Sequence, residues 1–238
     1  MRIDGRKPDE MRPVLIERSY TKFANGSVLI SVGNTKVICT ASIEESVPPH
    51  KKNTGEGWIT DEYSLLPGST PRRVSRESSR GKVGGRTHEI QRLIGRSMRA
   101  IVDLSAIGER TIWIDCDVIQ ADGGTRVASI TGAYVALVDA ISWLKKNAGI
   151  TGEPLIGSVA AVSVGVVDSV PLLDLCYEED VTADVDMNIV LTGSGEYIEL
   201  QGTAEKQTFS EEELAQMIGQ AKKGIGELTQ IQKEALQG

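Results

Sequence analysis

The segment from Thr111 to Lys146 restricts the fold of this 238-residue chain more than any other segment. Apolar and polar residues alternate from Thr111 to Ile119, which predicts a half-buried strand. A turn with two adjacent glycines follows, and the Ala/Val-rich residues beyond it, to about Lys146, predict a buried helix. The chain must therefore combine strands with helices. The apolar face of the predicted strand carries Ile112, Ile114, Cys116 and Val118.

The periodicity of the remaining residues predicts strands and a helix before this segment, and strands and a helix after it. The other predicted strands span residues 28–32, 36–43, 158–167, 170–175, 185–192 and 197–201. One further helix follows Thr87 as its N-cap, and the last helix begins at a capping box in residues 210–213. We therefore predict one α+β domain, residues 1–238, whose two halves, about 10–146 and 157–238, loosely echo each other.

Length and composition predict a soluble globular protein with a sizeable core. No run of about eighteen apolar residues is present, so we predict no membrane span, and the charged N-terminus lacks the apolar segment of a secretory signal. The cysteines are few, far apart and odd in number, which favours buried free thiols over disulfides or a zinc site. They are Cys39, Cys116 and Cys176. These features together predict a protein of the reducing cytoplasm.

Charge is distributed very unevenly along the chain. The net charge is −7, but residues 72–99 contain nine Lys/Arg and two acids, a local charge of +7 that leaves −14 for the remainder. Residues 178–213 contain eleven acids and one base. A basic zone and an acidic zone on one protein indicate that a polyanion and a cation are bound at separate places. The alternative is that both zones are solvated faces that help oligomer contacts.

The turn between the predicted strand and the buried helix is a candidate phosphate site. Gly123 and Gly124 let the backbone approach a ligand, and the following helix N-terminus offers free N–H groups. Thr125 adds a hydroxyl group and Arg126 a guanidinium group suited to phosphate oxygens. No Walker or dinucleotide-binding glycine pattern is present, so the alternative, a tight turn with glycines for geometry only, stays open.

A second arginine is expected at a second helix N-terminus. Arg86 follows Gly84 and Gly85 at the start of the helix that carries most of the basic residues. Two helix starts with arginines could converge on one phosphate group. The alternative for Arg86 is an ion pair with an acid such as Asp122.

An acidic run near the start of a predicted strand is a candidate metal site. Its members are Glu178, Glu179, Asp180, Asp184 and Asp186. In a strand beginning near Ala183, Asp184 and Asp186 point to one face, and Asn188 continues that face. Carboxylates grouped in this way, together with waters and substrate oxygens, suit Mg²⁺. The alternative is an acidic solvated loop, which the otherwise apolar strand argues against.

The basic stretch predicts contacts with a nucleic-acid backbone. Its candidate residues for contact with backbone phosphates are Arg72, Arg73, Arg76, Arg92, Arg96 and Arg99. Only two aromatic residues, Trp58 and Tyr63, precede the stretch closely, so recognition of phosphate and shape is favoured over recognition of bases. Residues 44–85 show little periodicity, and a connection of that length in a compact domain is usually functional or partly disordered.

Five motifs in the chain occur in the same order in a known family. They are R-I-D-G-R at 2–6, G-G-R-T-H-E-I-Q-R-L-I-G-R at 84–96, D-C-D-V-I-Q-A-D-G-G-T-R at 115–126, D-M-N at 186–188 and Q-G-T-A-E at 201–205. With these motifs, essentially the whole chain resembles the ribonuclease PH family. Several long motifs in the right order argue strongly against a chance match.

The resemblance implies a phosphorolytic 3′→5′ exoribonuclease that trims the 3′ ends of tRNA precursors and releases nucleoside diphosphates. It also implies duplicated β-α modules like ribosomal protein S5 domain 2, and a homohexameric ring built as a trimer of dimers. The family's residues that bind inorganic phosphate correspond to Arg86, Gly124, Thr125 and Arg126. Its Mg²⁺-binding or acid positions correspond to Asp180 and Asp186, with Asp184 beside them, and two arginines that hold tRNA correspond to Arg73 and Arg76.

Other classes of protein remain possible at this point. An inactive, RNA-binding ring subunit of the exosome type is one, but the chain keeps both the arginine set and the acidic set. A hydrolytic nuclease would leave two arginines for free phosphate unexplained. A small-molecule phosphotransferase would leave the basic stretch without a role.

Overall fold

The computed structural model describes residues 2–150 and 152–238, and in this part of the chain nine strands and four α-helices are present. The strands are β1 Val14–Arg18, β2 Gly26–Val32, β3 Thr35–Glu44, β4 Trp58–Leu65, β5 Thr111–Gln120, β6 Val159–Val167, β7 Val170–Leu173, β8 Val185–Thr192 and β9 Tyr197–Ala204. The helices are α1 Gly85–Arg99, α2 Thr125–Asn147, α3 Tyr177–Thr182 and α4 Glu211–Gln237. Pro49–Lys51 and Glu77–Arg80 form short 3-10 helices.

The strands form two sheets, one in each half of the chain. The first has the order β1-β2-β3-β5-β4, in which β4 runs parallel to β5 and the other pairs are antiparallel. The second has the order β7-β6-β8-β9 and is antiparallel throughout. Each sheet is accompanied by helices, so the predicted α+β class is confirmed.

Helix α2 lies between the two sheets, packed on β2 and β3 on one side and on β6 on the other. Fourteen of its 23 residues are buried, which confirms the predicted buried helix. Helix α2 and strand β2 lie very close together. A Cβ atom at Gly26 of β2 would overlap the carbonyl oxygen of Ala136, and a Cβ atom at Gly132 of α2 would lie 2.8 Å from Ile30. By length and composition alone α2 is apolar enough to cross a membrane. However, 72% of its most apolar 18-residue stretch is buried inside the fold.

One core extends across the boundary between the halves. Val159, Ala161 and Val190 of the second sheet join the core formed by the first sheet, α1 and α2. A second core lies on the other face of the second sheet under α4, where Met217 and Leu228 are buried. Helix α4 begins at the predicted capping box, with the Ser210 hydroxyl accepting from the N–H of Glu213.

Several elements differ from the sequence-based predictions. The strands β1 and β4 and the short helix α3 were not predicted, because β4 has polar residues at 60–62 and α3 is only six residues long. The predicted N-cap Thr87 is wrong, since α1 begins at Gly85 with Gly84 as its N-cap. The Thr87 hydroxyl instead donates to the carboxylate of Glu77 at 2.9 Å.

All three cysteines are buried and free, as predicted. Cys39 of β3 and Cys116 of β5 lie directly opposite each other, with 3.8 Å between their sulfur atoms. The hydrogen bond to Cys39, together with burial, raises the pKa of the Cys116 thiol well above its usual value. These thiols therefore act as small core residues rather than as nucleophiles.

A buried carboxylate under α1 makes stability depend on pH. In the described part of the chain no partner reaches Oδ2 of Asp61, a β4 residue that faces Gly95 of α1, and burial raises the pKa of Asp61 to about 8. Because the folded state then holds a proton that the unfolded chain releases, stability should fall as the pH rises from about 4 to about 8.

Replacing Asp61 with asparagine should remove most of this pH dependence. Between pH 5 and pH 8, we expect the melting temperature of the unmodified protein to fall roughly 6–12 °C further than that of D61N, the shift produced by about 3 kcal/mol. Thermal unfolding at both pH values measures it. D168N, at an exposed turn residue, is the control. Equal pH dependence in D61N and D168N would refute the prediction.

Candidate active site

The turn between β5 and α2 has the geometry of an anion site. Gly123 and Gly124 have φ angles of +77° and +66°, the left-handed region that favours glycine. A Cβ at Gly123 would lie 2.5 Å from the carbonyl oxygen of Leu175, so the turn packs tightly on the segment before α3. Gly124 is the N-cap of α2, and the first N–H groups of that helix are available to a ligand.

A cavity of about 640 Å³ opens at this turn and collects residues from both halves of the chain. Seven of the predicted site residues line it, and six of these belong to the predicted phosphate and acidic sites: Arg86, Gly124, Thr125, Arg126, Asp180 and Asp186. Arg72 of the basic stretch lines it as well. The structure thus places the predicted phosphate site and the predicted acidic site in one cavity, which sequence spacing alone did not establish.

The two arginines differ in how they are held. In the described part of the chain no acid lies within ion-pair distance of Arg86, so its alternative pairing with Asp122 is not formed. Arg126 donates through Nη1 to Glu89 at 3.2 Å and to Gln201 at 2.9 Å. Glu89 and Gln201 therefore fix the direction of Arg126, while Arg86 keeps its donors for a ligand.

The two aspartates approach the cavity from different elements. Asp186 lies on β8, and Asp180 lies on the short helix α3 that precedes this strand. Burial, with the negative charge of Asp180 adding to it, raises the pKa of Asp186 to about 6, against the opposing charge of Arg126. Burial raises the pKa of Asp180 too, again opposed by Arg86 and Arg126. The carboxyl groups are therefore close to each other and to both arginines.

Asp184 does not join them. It is absent from the residues that line the cavity, and its carbonyl oxygen accepts from the N–H groups of Glu205 and Lys206. Residues 2–150 and 152–238 contain no group of three or more His, Cys, Asp or Glu side chains that could hold a metal ion. The protein itself therefore offers two carboxylates at the cavity rather than the predicted three.

Sequence reasoning missed several lining residues, among them Tyr63, Ser163 and Tyr177. The Tyr63 hydroxyl lies 2.8 Å from the Thr125 hydroxyl, and the Tyr63 side chain is buried. Burial raises the pKa of Tyr63, so its hydroxyl stays protonated. Ile59 and Tyr63 are both buried, and their even spacing is compatible with one face of a strand. The polar residues between them obscured this pattern in the sequence.

The predicted RNA-binding arginines have different environments. Arg73, Arg76 and Arg92 are exposed, and Arg96 forms an ion pair with Glu199 of β9 at 2.8 Å. Arg99 differs from the expectation, because its Nη1 donates to the Ile59 carbonyl at 2.7 Å.

The guanidinium of Arg99 also stacks 4.6 Å from the centre of the Trp58 ring. Burial lowers the pKa of Arg99, which is consistent with a side chain that packs on the protein rather than on RNA.

Comparison with known families defines the class of protein. The model of the 3′ exoribonuclease family, domain 1, matches residues 10–141, and the model of domain 2 of the same family matches residues 157–224. Together these models cover most of the chain, including the cavity residues on both sides. The chain therefore belongs to the 3′ exoribonuclease family.

Close relatives narrow the class. Ribonuclease PH of Corynebacterium kroppenstedtii is 59% identical over 99% of this chain and 93% of its own length. Ribonuclease PH of Corynebacterium efficiens is 60% identical over 99% of this chain and 96% of its own length. The chain therefore belongs to the ribonuclease PH family of phosphorolytic 3′ exoribonucleases, which are nucleotidyltransferases, and an inactive ring subunit is not favoured.

Two solved structures share the fold. Rice (Oryza sativa) Rrp46 superposes with a TM-score of 0.79 at 20% identity, over 99% of this chain and 100% of the other. The Archaeoglobus fulgidus exosome with RNA bound to the active site gives a TM-score of 0.79 at 22% identity, over 96% of this chain and 91% of the other. At these identities the likeness concerns the fold alone, and it confirms the predicted fold type.

Proposed function

We propose that this protein trims the 3′ ends of tRNA precursors, with inorganic phosphate as the attacking group and a nucleoside diphosphate as the product. The observation that carries the proposal is that one cavity joins two arginines and a helix N-terminus to two aspartates. Phosphate is already an anionic nucleophile, so the reaction needs no activated serine or histidine, and the chain has only two histidines.

Phosphate is held by groups at the N-termini of two helices, α1 and α2. Arg86 and Arg126 supply guanidinium donors, Thr125 supplies its hydroxyl group, and the turn at Gly124 leaves the N–H groups of α2 free. The Tyr63 hydroxyl fixes the position of the Thr125 hydroxyl. These donors orient a phosphate oxygen toward the terminal phosphodiester and stabilise the charge that develops there.

The residues at the cavity fit a magnesium ion that is completed by substrate. Asp180 and Asp186 lie close enough for the charge of one to raise the pKa of the other, and Mg²⁺ prefers one or two carboxylates with waters and phosphate oxygens. Asp180 and Asp186 would hold the ion, and Asp184 would not contact it directly. When bound, the ion neutralises negative charge on the reacting phosphate groups.

The leaving 3′-oxygen needs a proton as its bond to phosphorus breaks and the new phosphate–phosphate bond forms. As the alternative to both aspartates holding the ion, one of them, Asp180 or Asp186, supplies that proton in its neutral form, which the raised pKa of each carboxyl group favours. Because one phosphate linkage replaces another, the reaction also runs backwards and adds nucleotides when diphosphates are abundant.

RNA reaches the cavity along the basic stretch. Arg72 lines the cavity, and Arg73, Arg76 and Arg92 are exposed donors for the RNA backbone. The protein acts in the cytoplasm as a homohexamer, a trimer of dimers, in which several basic stretches surround one tRNA-binding surface.

The nature of the released nucleotide tests the reaction directly. Purified protein is incubated with Mg²⁺ and a 3′-extended tRNA, with and without inorganic phosphate, and the released nucleotides are identified. We expect nucleoside diphosphates, and only when phosphate is present. Monophosphates released without phosphate would mean hydrolysis, and bound RNA without release would mean an RNA-binding scaffold. Either result would overturn the proposal.

A further inference from the structure

Arg12, in the loop before β1, is a buried arginine outside the proposed catalytic groups. Its Nε and its backbone N–H both donate to Oδ2 of Asp174, at 2.9 Å and 2.8 Å. Its Nη2 donates to Oδ1 of the same carboxylate at 2.6 Å. The side chains of Arg12 and Asp174 are only 5% and 4% exposed. The pair is therefore enclosed by protein and fixed in one geometry.

The rest of the Arg12 guanidinium reaches the phosphate-binding turn. Nη1 donates to the carbonyl oxygen of Asp122, and Nη2 lies 3.5 Å from that of Gly123 and 3.4 Å from that of Leu175. One side chain thus connects residues 122–123 in the first half of the chain to residues 174–175 in the second half.

Both connected segments lead straight into the cavity. Residues 122–124 precede Thr125 and Arg126, and residues 174–176 precede α3, which carries Asp180. A helix of six residues does not hold its own orientation in water. The orientation of α3 must therefore come from contacts with its surroundings.

A second arginine anchors α3 itself. Arg2 donates to both carboxylate oxygens of Glu179, at 2.8 Å and 2.7 Å, and to the carbonyl oxygens of Leu173 and Asp174. The Glu179 carboxylate also accepts from the N–H of Cys176 at the start of α3. The segment before Asp180 is thus held from two directions, by Arg2 at the helix and by Arg12 at the loop.

Asp174 stays ionised and Arg12 stays protonated in the folded protein. Burial alone would raise the pKa of Asp174, but the hydrogen bonds and positive charge of Arg12 hold it below its usual value. Removing Asp174 takes the carboxylate partner from the buried Arg12, and removing Arg12 leaves Asp174 with Arg6 as its ion-pair partner, at 3.3 Å. Either change disturbs the connected segments. A lysine at position 12 keeps the charge, but its single ammonium group lacks the planar fork that joins both segments.

We propose that Arg12 and Asp174 are a positioning pair that sets the spacing between the phosphate-binding turn and Asp180 on the opposite side of the cavity. This inference rests on the proposed phosphate site. The pair contacts no substrate; it acts through Gly124, Thr125 and Arg126 on one side and through α3 on the other.

Steady-state kinetics of R12K and D174N test the pair, with phosphate and a 3′-extended tRNA varied separately. A small misplacement of reacting groups is costly, so we expect kcat/KM for phosphate to fall about tenfold or more, with the KM for RNA within about twofold. The double variant should be no worse than the poorer single variant, because the two residues act as one unit.

The matched control is R18K. Arg18 forms the same kind of two-point pair with Asp139, at 3.2 Å and 2.6 Å, and neither residue lines the cavity. We expect its phosphate kinetics to match those of the unmodified protein. A folded R12K variant with unchanged kcat/KM for phosphate would overturn the proposal. If R12K and D174N both fail to fold, the pair stabilises the fold rather than the site, and the proposal is wrong.

Arg126→Ala separates failure of the pair from failure of the proposed phosphate site. If R126A leaves the KM for phosphate unchanged, the proposed phosphate site is wrong, and the positioning role of Arg12 and Asp174 is refuted together with it. If R126A raises that KM and R12K does not, only the positioning role is refuted.

Discussion

Replacing Asp186 with asparagine is expected to lower the turnover of phosphorolysis about 10³-fold while the RNA stays bound. The amide keeps the size of the carboxyl group but removes its charge and its ability to give up a proton. Asp186 lines the cavity together with Arg86 and Arg126, and burial there raises its pKa to about 6. Single-turnover rates and equilibrium RNA binding measure the two effects separately.

Asp184→Asn is the matched control for this experiment. It removes an equal charge two residues away on the same segment, but from a residue that does not line the cavity. We expect turnover to change by less than about threefold, the range usual for surface charges. A loss in D184N as large as that in D186N would contradict the assignment and return Asp184 to the site.

Replacing Arg126 with alanine is expected to lower kcat/KM for phosphate by about 10²–10³-fold. Arg126 stands at the N-terminus of α2 and is held toward the cavity by Glu89 and Gln201, so its loss removes a fixed positive charge where phosphate binds. Affinity for RNA should change much less, because the exposed arginines of the basic stretch are intact. Initial rates over a range of phosphate concentrations, and separate RNA-binding titrations, give both quantities.

Arg110→Ala serves as the control for charge alone. Arg110 precedes β5, at the end of that strand remote from the phosphate-binding turn, and pairs with Glu45 on the surface. Its loss should leave phosphate kinetics within about twofold of the unmodified protein. An R126A variant with the phosphate dependence of R110A would refute the proposed site.

Regular periodicity made much of this fold predictable from sequence. The strands β2 and β3, the apolar face of β5, the buried α2 and the capped start of α4 all match the expected elements. Alternating apolar residues mark β3 and β5, apolar residues throughout mark α2, and a capping box marks the start of α4. In these elements local pattern and tertiary packing agree.

The site was predictable only in its parts. Gly124, Thr125 and Arg126 form a local pattern, but their meeting with Asp180 and Asp186 depends on how the two sheets pack around α2. That packing is set by contacts far apart in sequence, which no local pattern encodes.

Residues held by partners far away in sequence were beyond sequence reasoning. Tyr63 could be placed only after β4 was known to pair in parallel with β5. Arg99 belonged by composition to the RNA-binding set, yet Trp58 and the Ile59 carbonyl hold it on the protein. Arg12 and Asp174 are separated by 162 residues, so their pairing left no signal in either segment.

The division of the cavity between the two halves of the chain has a consequence during protein synthesis. The phosphate-binding groups are complete once Arg126 has been made, but both aspartates come at least 54 residues later. A nascent or prematurely terminated chain that ends before Asp180 carries the means to hold an anion and none of the acidic groups. On the proposed assignment, such fragments do not degrade the RNA of the translation machinery that surrounds them.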